Sequence, residues 1–395
     1  TGDTSRSITA KNSGEYYVTV NDDNGCSAKD TVETLFKDCS GILDSSCIYQ
    51  RRSFSWQGHN NWFLGLTGWG YSNNNSNGYG YIFNQREIVL DTIKTPDSSV
   101  ISAYGGVSAA SNDNGELIFF TNGRKAWKAD GTLITSDLLA DGNCSQDLMK
   151  PKASVNDGVI TVRHPLDPNN YYILTVEDFP FTGCYVGPGV CVAKIDGQGN
   201  LIHASQPIDY TIGEERARYP TTESITATMH SNSLDVWVTV HPLDADYFLS
   251  YLLTVDGFVT PPVVSPGAPF VDTDALVDQL YNSNQISING DIAFSYDGEK
   301  FACGAKGENK TLELYDFDNS TGVISNSRPM YMPSPWGSHG LEIHNVLFSA
   351  DDSEVHWSTT DWKSGMRYVS EVLQGNTNNW YYSSSSFLAG DYMAQ

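Results

Sequence analysis

The sequence predicts an all-β protein: a six- or seven-bladed β-propeller over residues 58–395, joined through a linker at residues 39–57 to part of a small β-sandwich over residues 1–38. Three observations predict it. Runs of alternating aromatic and β-branched residues, broken at short intervals by Gly, Asn and Asp, dominate the chain. Long amphipathic helical patterns are absent, and the one helical candidate, Asp274-Ala-Leu-Val-Asp-Gln-Leu-Tyr281, spans about two turns. Beyond residue 58 the chain repeats loosely every ~50 to 66 residues, near the length of a four-stranded blade with insertions.

Each element has its own justification. At the amino-terminal end, Gly14-Glu-Tyr-Tyr-Val-Thr-Val20 alternates as a strand, Asn24-Gly25 supplies a hairpin turn, and Cys26-Ser-Ala-Lys-Asp-Thr-Val32 returns. A whole sandwich needs about seven strands, so the rest of this domain is expected upstream or from another chain. The stretch from Asn60 to Asp91 supplies a first propeller unit. Further units open near Gly105, Gly158, Ser224, Gly290 and Gly340, which makes about six. Their second strands are Leu117–Thr121, Tyr171–Val176, Val236–Val240, Phe301–Gly304 and Val355–Ser358. A third strand then leads into an acidic glycine turn: Asp130-Gly131, Asp196-Gly-Gln-Gly199, Asp256-Gly257 and Asp318-Asn-Ser-Thr-Gly322. Four-stranded sheets of this size bury too little alone, whereas sheets packed face to face around an axis bury both faces and leave only short edges.

Composition bounds the function. With 47 acidic against 23 basic residues the formal charge is −24, and no concentrated basic patch offsets it, so a general nucleic-acid binder is excluded. A hydrophobic fraction of 39% supports a packed core rather than disorder. No apolar run reaches the length needed to cross a bilayer. The acidic turns suit a solvated surface and discourage edge pairing. Seven cysteines show no CxxC spacing, which argues against a zinc ribbon or a thioredoxin-type site. Cys184 and Cys191 flank a Gly-Pro-Gly turn and Cys39 and Cys47 enclose a short loop; the alternatives for both pairs are local disulfides in an oxidising compartment or buried thiols.

Several segments carry a resemblance to a known family. The Gly14–Cys26 hairpin resembles the last hairpin of PKD or immunoglobulin-like repeats in long secreted proteins of the Bacteroidetes. The series Asn60–Gly65, Gly106–Trp127, Asn169–Val176, Ile225–His230 with Asp235–His241, Phe294–Phe301 and Glu313–Ser325 is similar, in order, to the propeller of large surface and secreted proteins of gliding Bacteroidetes. The resemblance spans residues 58 to 375. It implies export, commonly by the type IX route, and a place outside the cell or on its surface. It supplies no catalytic motif. Asp30-Thr31-Val32 and Asp91-Thr92-Ile93 match the short Asp-Thr-aliphatic pattern of Bacteroidetes O-glycosylation. Two departures from the family's pattern are expected: no carboxy-terminal sorting domain within these residues, and Asn376–Ser386 in place of the usual further strands.

Candidate chemistry is sparse. Calcium is the one cofactor the sequence suggests, at the oxygen-rich turns Asn21–Gly25, Ser111–Gly115 and Asp316–Gly322, although such residues also favour tight hairpins. His339, Glu342 and His344, with His356 later, form the one local set of nitrogen and carboxylate ligands, with Glu342 and His344 expected on one strand face. No Gly-x-Ser-x-Gly elbow is present. Aromatic rings in polar, turn-rich stretches are the better lead. Trp69, Tyr71 and Tyr79, and Trp336 beside His339, suit stacking on sugars or packing on a partner protein. The leading expectation is a non-enzymatic extracellular module for adhesion or recognition of a glycan or surface protein. The alternatives are a self-associating subunit of a filament or surface layer, and a propeller-type polysaccharide hydrolase or lyase.

Overall fold

The computed structural model describes residues 14–21, 27–34, 61–64, 79–84, 89–94, 107–112, 114–136, 138, 158–165, 167–176, 189–208, 210–212, 215–217, 221–242, 245–267, 291–304, 312–330, 342–349, 351–361, 365–372 and 380–383. Every regular element among them is a β-strand; the helical candidate at 274–281 lies outside them. The chain divides into two compact units, Thr1–Ser53 and Phe54–Gln395, at a point inside the expected linker.

In the first unit, β1 (Gly14–Asn21) and β2 (Ser27–Thr34) form an antiparallel hairpin with Tyr16 opposite Val32.

The second unit is a succession of antiparallel meanders. The first sheet holds β3 (Asn61–Leu64), β4 (Tyr79–Asn84) and β5 (Val89–Lys94). The second holds β6 (Ser108–Ser111), β7 (Leu117–Thr121), β8 (Ala126–Lys128) and β9 (Leu133–Thr135). The third holds β10 (Val159–Arg163), β11 (Asn170–Thr175), β12 (Cys191–Asp196) and β13 (Leu201–Pro207). A small hairpin, β14 (Tyr210–Ile212) and β15 (Glu215–Ala217), follows. The fourth sheet is β16 (Thr221–Met229), β17 (Val236–Pro242), β18 (Tyr247–Thr254) and β19 (Gly257–Pro266). The fifth is β20 (Ile292–Phe294), β21 (Lys300–Gly304), β22 (Leu312–Asp318) and β23 (Val323–Met330). The sixth is β24 (Glu342–Phe348), β25 (Glu354–Asp361), β26 (Gly365–Val372) and β27 (Trp380–Ser383).

The first strands neighbour one another in sequence order: β3 with β6, β6 with β10, β10 with β16, β16 with β20, and β20 with β24. Burial follows the same radial order. Strand β17 is buried at every residue, whereas the outer strand β13 exposes Leu201, Ile202, His203 and Ala204. Successive meanders with the first strand inside and the fourth outside are the architecture of a β-propeller.

Strand parity builds the core between the sheets. Along β17, Val236, Val238 and Val240 pack with Tyr172, Leu174 and Val176 of the third sheet. Trp237 points the other way, into a cluster with Phe248, Phe301, Tyr315 and Phe317 at the fifth sheet. Phe248 meets Phe301 edge-on at 4.9 Å. Both faces are buried, which is why these strands read as near-continuous apolar runs. A buried Val, Leu or Phe is worth about 1.5–3 kcal/mol against ~1 for a typical hydrogen bond. Sheet-on-sheet packing, not the hairpins, therefore holds the stack.

Candidate functional site

Antiparallel strands send their connections alternately to the two ends of a sheet, and the two ends differ. At one end lie the first-to-second and third-to-fourth connections; among the described residues those of the second to sixth sheets include tight turns closed by their own side chains, while the first sheet's 65–78 connection lies outside the described residues. The Ser295 hydroxyl donates to Asp297 at 2.6 Å and accepts from Lys300 N at 2.8 Å. Ser349 repeats this with Asp351 and Glu354 N, at 2.8 Å each. In the second sheet Asn112 Oδ1 accepts from Asn114 N and Glu116 N, and in the fourth Asn232 Oδ1 accepts from Leu234 N and Asp235 N. The Ser320 hydroxyl and backbone hold the Asp318 carboxyl below its usual range. Donors and acceptors of these described turns are taken up locally.

The opposite end receives the fourth-to-first connections, residues 136–158, 208–220, 268–291 and 331–341, at the starts of the inner strands. Three inner strands meet at Asp291, which is 1% exposed. Its Oδ1 accepts from the Ser224 hydroxyl at 3.1 Å and from Ile292 N at 2.8 Å. Its Oδ2 accepts from Val346 N, and its backbone oxygen from Gly304 N at 2.8 Å. One carboxylate thus joins β16, β20 and β24. Both flanking strands bulge here, β16 between Thr221 and Ile225 and β24 between Ile343 and Asn345. Bulges of this kind re-aim side chains at sheet ends.

Further buried polar groups stand on the fourth and fifth sheets. Thr221 is paired with Pro242, next to His241, which is fully buried, meets Phe248 edge-on at 4.9 Å and donates through Nδ1 to Pro242 O at 2.7 Å. Cys303, opposite Ile292, is buried too; burial, with Glu313 and Asp291 nearby, pushes its thiol well above the usual range, so it is held protonated and is a poor nucleophile. Between the second and third sheets the inner strands are linked in the same manner. The Ser108 and Thr161 hydroxyls lie 2.9 Å apart, and Thr161 donates to Ala109 O at 3.0 Å.

Of the residues singled out in the sequence, Trp69, Tyr71, Trp336, His339, Cys39, Cys47 and Cys184 lie outside the described residues, so neither cysteine pairing is described. Cys191 opens β12 and is fully buried. Tyr79 stands in a strand rather than a turn-rich loop: it opens β4 opposite Lys94, because the alternation Tyr79-Gly-Tyr81 already belongs to the ladder. Glu342 and His344 both fall on β24, whose register against β25 shifts between Ile343 and Asn345. His356 is opposite Leu347 and pairs at 3.4 Å with Glu354 on the surface. Among the described residues no group of three or more His, Cys, Asp or Glu is arranged to hold a metal. In the suggested calcium turns, Asp316 accepts from Asn326 and Arg328, and Asp318 from Ser320. The residues missed by sequence reasoning are Thr221, Thr222, Ser224 and Asp291. Their one signal is a polar run placed directly before strand-like alternation.

No family model matches the sequence, and no curated protein matches it significantly. A solved protein from Lactobacillus plantarum aligns over 82% of this chain and 81% of its own, at 11% identity and a TM-score of 0.46. A putative 6-phosphogluconolactonase from Bacteroides uniformis covers the same shares at 11% identity and 0.44. The periplasmic gluconolactonase of Pseudomonas aeruginosa does so at 13% identity and 0.43. The propeller class of the second unit rests on its own strand order. Among the described residues no helix is long and apolar enough to cross a membrane.

Proposed function

We propose that the chain is a non-enzymatic recognition module of a larger secreted or cell-surface protein, and that it engages a glycan or a protein surface at the propeller end that receives the long connections. The difference between the two ends carries this reading. Apart from the first sheet's 65–78 connection, the described turns at one end take up their polar groups locally, while the other end receives the long connections 136–158, 268–291 and 331–341, and binding loops on rigid scaffolds are commonly of this kind. Trp336 and His339 belong by sequence to one of those connections. The resemblance to Bacteroidetes surface proteins, including the PKD-like hairpin, supports the extracellular setting, as does the strongly acidic composition.

The test is a glycan array together with pull-down from a surface-protein extract, using the purified chain and Trp336→Ala. Binding that falls at least tenfold in the variant supports the reading, and silence in both assays overturns it. Turnover of a polysaccharide or a sugar lactone would replace it with the hydrolase or lyase reading. Native mass measurement decides the filament alternative, which a lasting monomer excludes. Calcium remains a proposal for the acidic turns. A calcium titration that leaves the melting midpoint unchanged ends it.

A further inference from the structure

Among the described residues, three buried side-chain polar atoms have no hydrogen-bond partner: Trp127 Nε1, Thr221 Oγ1 and Thr222 Oγ1. Two of the three are consecutive, and they stand at the start of β16, in the bulged stretch that also presents Ser224 to Asp291. Thr221 is 4% exposed and Thr222 0%. A buried hydroxyl without a partner is costly, and such groups are nearly always satisfied by protein or by a bound molecule. The two stand together at the start of an inner strand, two and three residues before Ser224, whose own hydroxyl is taken up by Asp291, and no partner among the described residues takes up theirs.

We propose that the start of β16 binds a neutral O–H group that both donates and accepts, held by the Thr221 and Thr222 hydroxyls. The chemistry selects that class. An anion is disfavoured in a chain of net charge −24. A metal ion would need several further oxygen or nitrogen ligands, and no group of metal-binding side chains gathers among the described residues. Threonine hydroxyls complement a neutral O–H in either direction. Two sources share this chemistry, an internal water and the hydroxyl of a sugar. The second rests on the glycan reading above and deepens it.

Thr221→Val and Thr222→Val remove each hydroxyl at nearly constant shape. With a bound water, the variants lose its bridging hydrogen bonds, and each lowers the thermal midpoint by roughly 2 °C or more, while neutral sugars shift neither wild type nor variant. With a sugar hydroxyl, neutral mono- and disaccharides raise the wild-type midpoint, and Thr222→Val abolishes the shift. Variants that melt at or above the wild-type temperature, with no sugar-dependent shift lost, overturn the proposal. That last result leaves glycan binding by the loops intact, while a destabilised variant with a silent glycan array keeps this site and removes the recognition reading.

Discussion

Asp351 and Asp352 are adjacent in the β24–β25 turn, yet their carboxyls move in opposite directions. Hydroxyl donors from Ser353 and Ser349 hold Asp351 down to about 2, from the ordinary 3.8. Burial pushes Asp352 up, against the N–H donors of Tyr296 at 2.7 Å and Asp297 at 2.8 Å in the neighbouring sheet. Linkage gives the two groups opposite signs. Asp351 ionises more readily in the folded chain, so its contribution is present above 3.8 and is lost as pH falls towards 2. Asp352 ionises less readily when folded, so its contribution is present below 3.8 and is lost as pH rises through its raised value. Carbon-detected NMR titration should place the Asp351 inflection near 2 and that of Asp352 above 3.8. The stability of Asp352→Asn relative to wild type should then increase with pH. Coincident inflections at 3.8 would remove the argument.

Glycine at the third-to-fourth turns is tested at the same scale. Gly322 has φ +77°, and a Cβ there would stand 2.6 Å from the Trp237 ring, whose Nε1 donates to Asn319 O in the same turn at 2.9 Å. Gly257 has φ +109° with nothing within 4 Å of an added Cβ. Backbone strain acts at both positions, but only Gly322 adds a clash with an aromatic ring that locks two sheets together. Gly322→Ala is expected to cost about 2–4 kcal/mol and Gly257→Ala about 1–2. Urea denaturation measures both, and equal losses would contradict the packing account.

Among the elements, the inner strands depend most on a single side chain. Replacing Asp291 by Ala removes the carboxylate acceptor of the Ser224 hydroxyl, Ile292 N and Val346 N, and Ile292 N keeps its longer contact to Ser224 Oγ at 3.3 Å. At about 1–3 kcal/mol for each buried unsatisfied group, the loss should reach about 3 kcal/mol or more. Thermal denaturation that moves by less than the equivalent of about 1 kcal/mol would make Asp291 a bystander. This feature was not legible in the sequence, whereas much around it was. The second strand Leu117–Thr121, the hairpin glycines Gly131, Gly199, Gly257 and Gly322, and the six sheets all follow from alternation and turn chemistry, which act over a few residues. Asp291 follows Gly290 and reads as one more turn acid. Its role depends on Ser224, 67 residues earlier, and on Val346, 55 residues later, a conjunction that no local pattern encodes. The β24 bulge at His344 escaped for the same reason, since a bulge answers to its partner strand.

For the second unit as a whole, the core clusters decide how a perturbation spreads. Each lies between neighbouring sheets: Ile118 and Phe119 with Tyr171 and Ile173, Val238 with Leu174, Trp237 with Phe301, Ala302 with Trp357. Stability in such a stack is close to a sum over sheets and nearest-neighbour interfaces. Asp291 departs from that scheme because it is shared by three consecutive sheets. Loss of its carboxylate should therefore lower protection in β16, β20 and β24 together, while β6, β7 and β8, tied to the third sheet through Ser108–Thr161 and the Phe119–Tyr171 contact at 5.8 Å, keep theirs. Hydrogen exchange read by mass spectrometry on wild type and Asp291→Asn, the milder variant, resolves these strands as separate peptides. Loss confined to β20 would reduce Asp291 to a local cap. Equal loss in every sheet would mean that the stack unfolds as one unit, with its stability no longer divisible among interfaces.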